Sequence, residues 1–325
     1  MVKSRGSGPN DRDEMTVRRQ PSTFKLQHMP KIITLLSFFS AFSTLVFSQP
    51  RLKVLISVDM EGIAGVVTGD QLGPGGFEYQ RFREFMTDEA LAAVEASSEA
   101  GATEILVVDA HGNGQNLLLE RFPEDVRVIR SWPRRYSMVA GIDSSFDAVI
   151  FIGYHSSTNN PRGVRAHTFS SARLTRVALN GREMTEGSWN AAVAGYFGVP
   201  AIMISGDDAV IAEVRQVLGD IESAEVKRSL GFHSANTLTP EASCKLIRQK
   251  VTSALARRLD FKPFVLKNPV TLEVTFKHYM VSEVLEYLKD VKRIDSHSIR
   301  YAGKNIKEVA DFLVFLTNYS LSLEP

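Results

Sequence analysis

Four short aliphatic runs constrain this chain more than any other feature. They lie within residues 53–58, 104–112, 147–155 and 199–206, and each is apolar on both alternating faces. A strand of that kind must be covered on both sides, which is the situation of a strand inside a parallel sheet between two layers. Between the runs lie segments of helical character. Residues 73–83 read as loop, and Thr87-Asp-Glu89 opens a helix with Thr87 as N-cap and Gly101 past its end. Strands alternating with helices at this spacing predict an α/β fold, a mostly parallel sheet flanked by helices and joined by right-handed crossovers. Ligands in such sheets bind at the carboxyl ends of the strands.

Polar residues collect at those ends. The first run stops in Asp59-Met-Glu-Gly-Ile-Ala-Gly65. Asp59 and Glu61 are two apart and share a face while the chain stays extended, and Gly62 and Gly65 let the backbone turn out of the sheet. Two converging carboxylates repel unless a cation or a proton intervenes. The second run ends in Asp109-Ala-His111 and the third at His155; residues 163–168 then form a Gly-entered loop that returns His167 over the same edge. Glu186 falls in the first turn of a helical segment, residues 185–196, where pattern alone balances a metal ligand against a surface acid complementing the helix dipole. A single strand-end histidine is commonly a satisfied core residue. Three consecutive strands ending in Asp, Glu or His on one edge point instead to a bound cation. The chain has one cysteine, Cys244, so neither an intramolecular disulfide nor a multi-thiolate site can form. Carboxylates and imidazoles without sulfur suit zinc or manganese. A net charge of +1, from 38 basic and 37 acidic residues without a long basic stripe, argues against a nucleic-acid partner.

Outside this region the chain reads differently. Residues 1–28 are polar and aperiodic, as in a disordered segment. Residues 32–47 are a sixteen-residue apolar and hydroxyl-bearing run behind Lys31, short for a membrane span. With Val46 and Ser48 ahead of a cut at Gln49, this leader is expected to be a signal peptide, with Met29 as an alternative start and an uncleaved N-terminal anchor as the alternative fate. The mature chain would then work outside the cytoplasm, periplasmic or secreted, with no stable membrane insertion. Residues 51–260 are expected to form the α/β domain that carries the chemistry. Residues 261–325 hold a period-2 strand and no acid-histidine cluster, and are expected to form a smaller α+β domain used for packing or assembly in a homo-oligomer. His233, His278 and His297 lack partner spacing and read as structural.

Taken together, Ser57-Val-Asp-Met-Glu-Gly62, Asp109-Ala-His111, Gly153-Tyr-His155, His167-Thr168 and Glu186-Gly187 make the chain resemble the D-aminopeptidase family of dinuclear zinc peptidases, from about residue 52 to 320. The resemblance implies that Asp59, Glu61, His111, His155 and Glu186 hold two zinc ions per subunit, with manganese or cobalt as alternatives, and that Asp59 bridges them. It assigns the catalytic role to His167 and places Asn116 and Asn190 near the substrate. The implied activity is hydrolysis of the N-terminal residue, D-configured, from short peptides with a free amino terminus. Paired cations acidify a shared water, polarise the scissile carbonyl and can anchor the α-amine, while His167 could act as base, acid or oxyanion stabiliser. Two other readings fit the same ligands: a dinuclear-metal phosphoesterase, and a non-catalytic periplasmic protein binding metal or peptide. Against the first, no Walker-type loop and no arginine cluster marks the strand ends, although Arg162 and Arg165 flank the site loop.

Overall fold

The computed structural model describes residues 51–318; the expected signal peptide and its cleavage point lie outside the described residues. In chain order the strands and helices are β1 (Leu52–Val58), α1 (Tyr79–Glu99), β2 (Ala102–Asp109), β3 (Arg127–Ile129), β4 (Ala148–Tyr154), β5 (Leu174–Leu179), β6 (Arg182–Glu183), α2 (Glu186–Tyr196), β7 (Ala201–Asp207), α3 (Asp208–Leu218), β8 (Glu222–Gly231) and β9 (Ser234–Thr237). There follow α4 (Pro240–Ala256), β10 (Val270–Phe276), α5 (Tyr279–Leu285), β11 (Val291–Arg293), β12 (Ser298–Gly303) and α6 (Ile306–Asn318).

Seven strands form one sheet in the order β3-β2-β1-β4-β7-β8-β9, parallel throughout except for β9, which returns beside β8 as a hairpin. The aliphatic runs divide their side chains as the pleat demands. Val54, Ile56 and Val58 pack under α1 and α4, while Leu55 packs on the opposite side with α2 and α3. Register then levels the strand ends, because Val58 pairs with Asp109 of β2 and with Ile152 of β4. The residues that follow leave the sheet side by side.

Two expectations change. Helix α1 begins at Tyr79, eight residues before Thr87. Phe82, Met86 and Ala90 are buried at i, i+4 and i+8, so the apolar stripe that packs under the sheet starts well before the expected cap. Thr87 lies inside the helix and donates its hydroxyl to the Arg83 carbonyl (2.8 Å) while accepting from Leu118 N–H (3.1 Å). The second change concerns residues 261–325. Their strands join a five-stranded sheet in the order β11-β12-β10-β5-β6, to which residues 174–183 contribute two strands. Strand β10 is hydrogen-bonded along both edges, to β12 and to β5. Its buried residues Val270, Leu272 and Val274 enter one core with α2, Leu174, Val177 and Leu179. The antiparallel unit is therefore built from two stretches of chain, and residue 260 is not its boundary.

Candidate metal centre

Where β1 and β4 end, two glycines let their backbones touch. Gly62 N–H donates to the Gly153 carbonyl at 2.7 Å, and a Cβ on Gly62 would lie 2.0 Å from the Tyr154 carbonyl oxygen. Gly153 has φ +72°, and a Cβ there would meet the Asp59 carbonyl at 2.3 Å. Any side chain at either position would separate Asp59 from His155.

The structure gathers the six expected chemical residues into two triads. Ligand atoms of Asp59, Glu61 and His111 lie within 4.8 Å of one another, and so do those of His155, His167 and Glu186. Asp59 stands between the groups: Oδ1 is 3.3 Å from His111 Nδ1, and Oδ2 is 3.2 Å from His155 Nε2. Glu61 Oε2 lies 2.8 Å from His111 Nδ1. Glu186, placed at the start of α2 by the Thr185 capping box, is buried; its Oε1 accepts from Phe169 N–H (2.6 Å) and its Oε2 faces His155 Nε2 at 3.4 Å. The burial and these partners remove the surface-acid reading of Glu186.

Each imidazole is fixed by a backbone carbonyl on the nitrogen that points away from the carboxylates. His111 Nε2 meets the Leu72 carbonyl at 2.7 Å, His155 Nδ1 the Ser156 carbonyl at 3.1 Å, and His167 Nδ1 the Arg165 carbonyl at 2.9 Å. A carbonyl only accepts, so those nitrogens carry the N–H. The other nitrogen of each ring faces carboxylate oxygen: Asp59 and Glu61 for His111, Asp59 and Glu186 for His155, and Glu186 Oε1 at 3.7 Å for His167. A neutral ring would point its lone pair at an anion, so positive charge is required between them, as ring protons or as metal. Metal-ligating histidines are held in this way by their far N–H. Asp59 Oδ2 and His155 Nε2 are, moreover, buried atoms without a hydrogen-bond partner although they face each other. The donor set and this orphaned pair fit a metal.

The electrostatics agree. Burial opposes charge on every member, but Glu61 and Asp59 around His111, and Glu186 and Asp59 around His155, outweigh it and raise both imidazoles well above their usual range. Burial likewise works against the Glu61 carboxylate, yet His111 beside it holds it well below the ordinary carboxylate range. Asp59 is raised by its burial and by the Glu61 charge.

A cavity of about 310 Å³ opens over the triads, floored by Asp59, Glu61, His111, His167 and Glu186. His167 reaches it from a loop tied to the neighbouring histidine: its N–H donates to the Ser156 carbonyl (3.2 Å), and its ring stacks on His155 with centroids 4.1 Å apart. Arg165 and Phe169, flanking it, both adopt positive φ (55° and 61°), a costly backbone for non-glycine residues that cluster at functional sites. Sequence reasoning missed the walls, Trp132, Met138 and Phe169, which arrive on loops without motif. The structure does not bring Asn116 or Asn190 into this cavity. Asn116 is buried behind it, donating to Asp109 Oδ1 (2.8 Å) and to the His111 carbonyl (2.7 Å) and accepting from the Tyr79 hydroxyl (2.7 Å). Asn190 lies below the floor, donating to the Tyr154 hydroxyl at 3.1 Å.

The family model for D-aminopeptidase matches residues 52–315. A curated relative, the D-aminopeptidase of Bacillus subtilis, is 28% identical over 271 residues, covering 83% of this chain and 98% of the relative. Among solved structures, the zinc-dependent D-aminopeptidase DppA from Bacillus subtilis, described as a self-compartmentalizing protease, is similar with a TM-score of 0.78 at 28% identity, covering 83% of this chain and 99% of that one. With a match running from the start of β1 into α6 and the residues of both triads inside it, the chain belongs to the D-aminopeptidase family of hydrolases.

Proposed function

We propose that this protein is an aminopeptidase that uses two zinc ions per subunit, held by Asp59, Glu61 and His111 on one side and by Asp59, His155 and Glu186 on the other, to release the D-configured N-terminal residue of short peptides. The observation that carries the reading is the position of Asp59, with one oxygen toward each triad. Ions bound there supply Lewis-acid polarisation of the scissile carbonyl and acidify water. The protein does the rest. Asp59, Glu61 and Glu186 face the cavity, and none of its described lining residues is lysine or arginine. A cavity without arginine or lysine lacks the forked or point-charge donors that grip the outer oxygens of a phosphate, which favours a peptidase over a phosphoesterase. His167 holds Nδ1 on the Arg165 carbonyl and presents Nε2 beside Glu186 at the cavity floor, so Nε2 is the atom placed to exchange a proton with the reacting groups. A homo-oligomer is part of the proposal, supported by the near-complete coverage of a relative described as self-compartmentalizing.

The test is hydrolysis of free and N-acetylated peptides of both configurations by metal-analysed protein. Equal rates on acetylated and free peptides would end the aminopeptidase reading. His167→Ala is expected to keep both metals while kcat falls by about 10²-fold or more. Loss of a metal equivalent would make His167 a ligand of the second triad instead. We further propose export, supported by the apolar run 32–47 and the small residues before Gln49. Secreted protein should begin at Gln49, and an intact Met1 or Met29 on N-terminal sequencing would refute cleavage there.

A further inference from the structure

Lysine is rarely fully buried without a partner carboxylate, yet Lys227 of β8 is only 2% exposed and forms no ion pair with a carboxylate among the described residues. Its ammonium donates to the backbone carbonyls of Glu61, Ile63 (3.1 Å) and Val66 (2.7 Å). Three N–H groups meet three carbonyls, so the donor capacity of the ammonium is filled by one turn of chain. That turn carries Glu61 and follows Asp59. Three of its N–H groups are held from outside the turn, Gly62 by the Gly153 carbonyl (2.7 Å), Ala64 by Glu89 Oε1 (3.0 Å) and Gly65 by Thr237 Oγ1 (2.8 Å), while Ile63 and Val66 donate within it to the Met60 (3.1 Å) and Ile63 (3.2 Å) carbonyls. On the carbonyl side the Ile63 oxygen also accepts from Val66 N–H (3.2 Å), whereas the Glu61 and Val66 oxygens have Lys227 as their donor among the described residues.

We propose that Lys227 is a positioning residue for the metal centre, an internal cation that gathers the carbonyls of the residue 61–66 turn and thereby fixes where Glu61 stands relative to Asp59 and His111. The inference rests on the reading that the triads bind metal. Without the ammonium, three carbonyl dipoles converge on one point and two of them, those of Glu61 and Val66, lose their donor, so the turn must open. Glu61 is the ligand nearest to that movement, since its own carbonyl is one of the three.

The experiment compares full-length wild type, Lys227→Met, Lys227→Ala and, as a control, Ile247→Ala, an apolar truncation that thins the α4 core and takes no hydrogen bond from the turn. Zinc affinity is read by competition with a chromophoric chelator, beside thermal unfolding and kcat. Lys227→Met should lose about 10- to 100-fold in zinc affinity, the scale for an outer partner of a ligand, while Ile247→Ala loses thermal stability and keeps its affinity. Lys227→Ala should recover zinc affinity in ammonium or potassium chloride and not in tetramethylammonium chloride, which brings charge without a donor and is too bulky for the carbonyls; ammonium should leave wild type unchanged. Wild-type affinity in Lys227→Met, equal loss in Ile247→Ala, or absence of ammonium rescue would overturn the proposal. If Lys227→Met does not fold, refolding of Lys227→Ala in ammonium decides; failure of that as well would make Lys227 a requirement of the fold and also overturn it. Wild type that takes up no zinc is a separate result, and it would sink the metal reading itself.

Discussion

Strand β1 is buried at six of its seven positions and then stops in Asp59 and Glu61, whereas β10 alternates, burying Val270, Leu272, Val274 and Phe276 and turning Thr271, Glu273 and Thr275 outward. In β1, β2, β4 and β7 of the seven-stranded sheet charged side chains are excluded from the strand centres and collect where strands end; Lys227, in the middle of β8, departs from this plan. In the five-stranded sheet they are spread along one face, where Glu273 meets Arg176 (3.0 Å) on one neighbouring strand and Arg300 (2.7 Å) on the other. Among described residues 270–303 only Ser282 and Ser298 are buried polar groups, while the larger sheet and its loops bury Asp59, Glu61, His111, His155, Glu186, Asp207 and Lys227. Strands covered on both sides gather most of their charges at the strand ends, where they share a poorly solvated volume in which charge interactions are strong. A sheet with one solvated face disperses its charges and gains little from each pair.

The harshest way to break this contrast is Asp59→Ala. Removing the carboxylate between the triads should empty both of metal and reduce hydrolysis to background, because His111 and His155 lose a shared partner at once. Metal analysis of the folded variant checks it, and two retained equivalents would show that Asp59 does not bridge. The matching change in the other sheet is Leu272→Ala, at a fully buried position of β10. It should cost about 2–5 kcal/mol of stability, seen as a lower denaturant midpoint, with metal content and kcat of the folded enzyme unchanged. A kcat that fell with it would mean that the second sheet shapes the site as well as packing it.

The large sheet was legible because its rule is local. Apolar residues on both faces need no tertiary knowledge to identify, and a strand that ends in Asp-Met-Glu or Asp-Ala-His announces its end. That Asp59, Glu61, His111 and His155 would gather at one edge was legible for the same reason, whereas Glu186, at a helix start, needed the family pattern to be set apart from a surface acid. What stayed hidden depends on distant chain. Nothing near Lys227 in sequence shows that three carbonyls from residues 61–66 will enclose it, and within Glu225-Val-Lys-Arg228 it reads as one more solvated charge. The pairing of β10 with β5 joins residues about a hundred positions apart. Asn116 and Asn190 had the right neighbours in sequence, but their amide N–H groups are engaged behind the floor of the site.

The smallest effect sharpens the comparison most finely, because it concerns a buried carboxylate of the same layer that has no imidazole beside it. Glu89 of α1 is buried under the residue 61–66 turn; its Oε1 accepts from Ala64 N–H (3.0 Å) and the Ser243 hydroxyl (2.6 Å), and its Oε2 has no partner. Burial pushes this carboxyl from 4.5 up to about 7, the two donors and Lys227 offsetting only part of it. The folded state therefore holds the Glu89 proton more tightly than the unfolded state. Between pH 4.5 and pH 7 the folded protein binds the greater number of protons, so the Glu89 contribution to stability is fully present below pH 4.5 and is lost as pH rises to 7. The loss amounts to about 3 kcal/mol in total. Glu89→Gln removes the titration while its amide oxygen can still accept both hydrogen bonds. With zinc saturating in both proteins, the variant should match wild type near pH 4.5 and become progressively more stable than it toward pH 8, as measured by urea unfolding at each pH. A stability difference that does not change with pH would show that Glu89 stays charged in the folded protein, as Glu61 does beside His111, and that burial alone does not set apart the carboxylates at the strand ends from those within the layer.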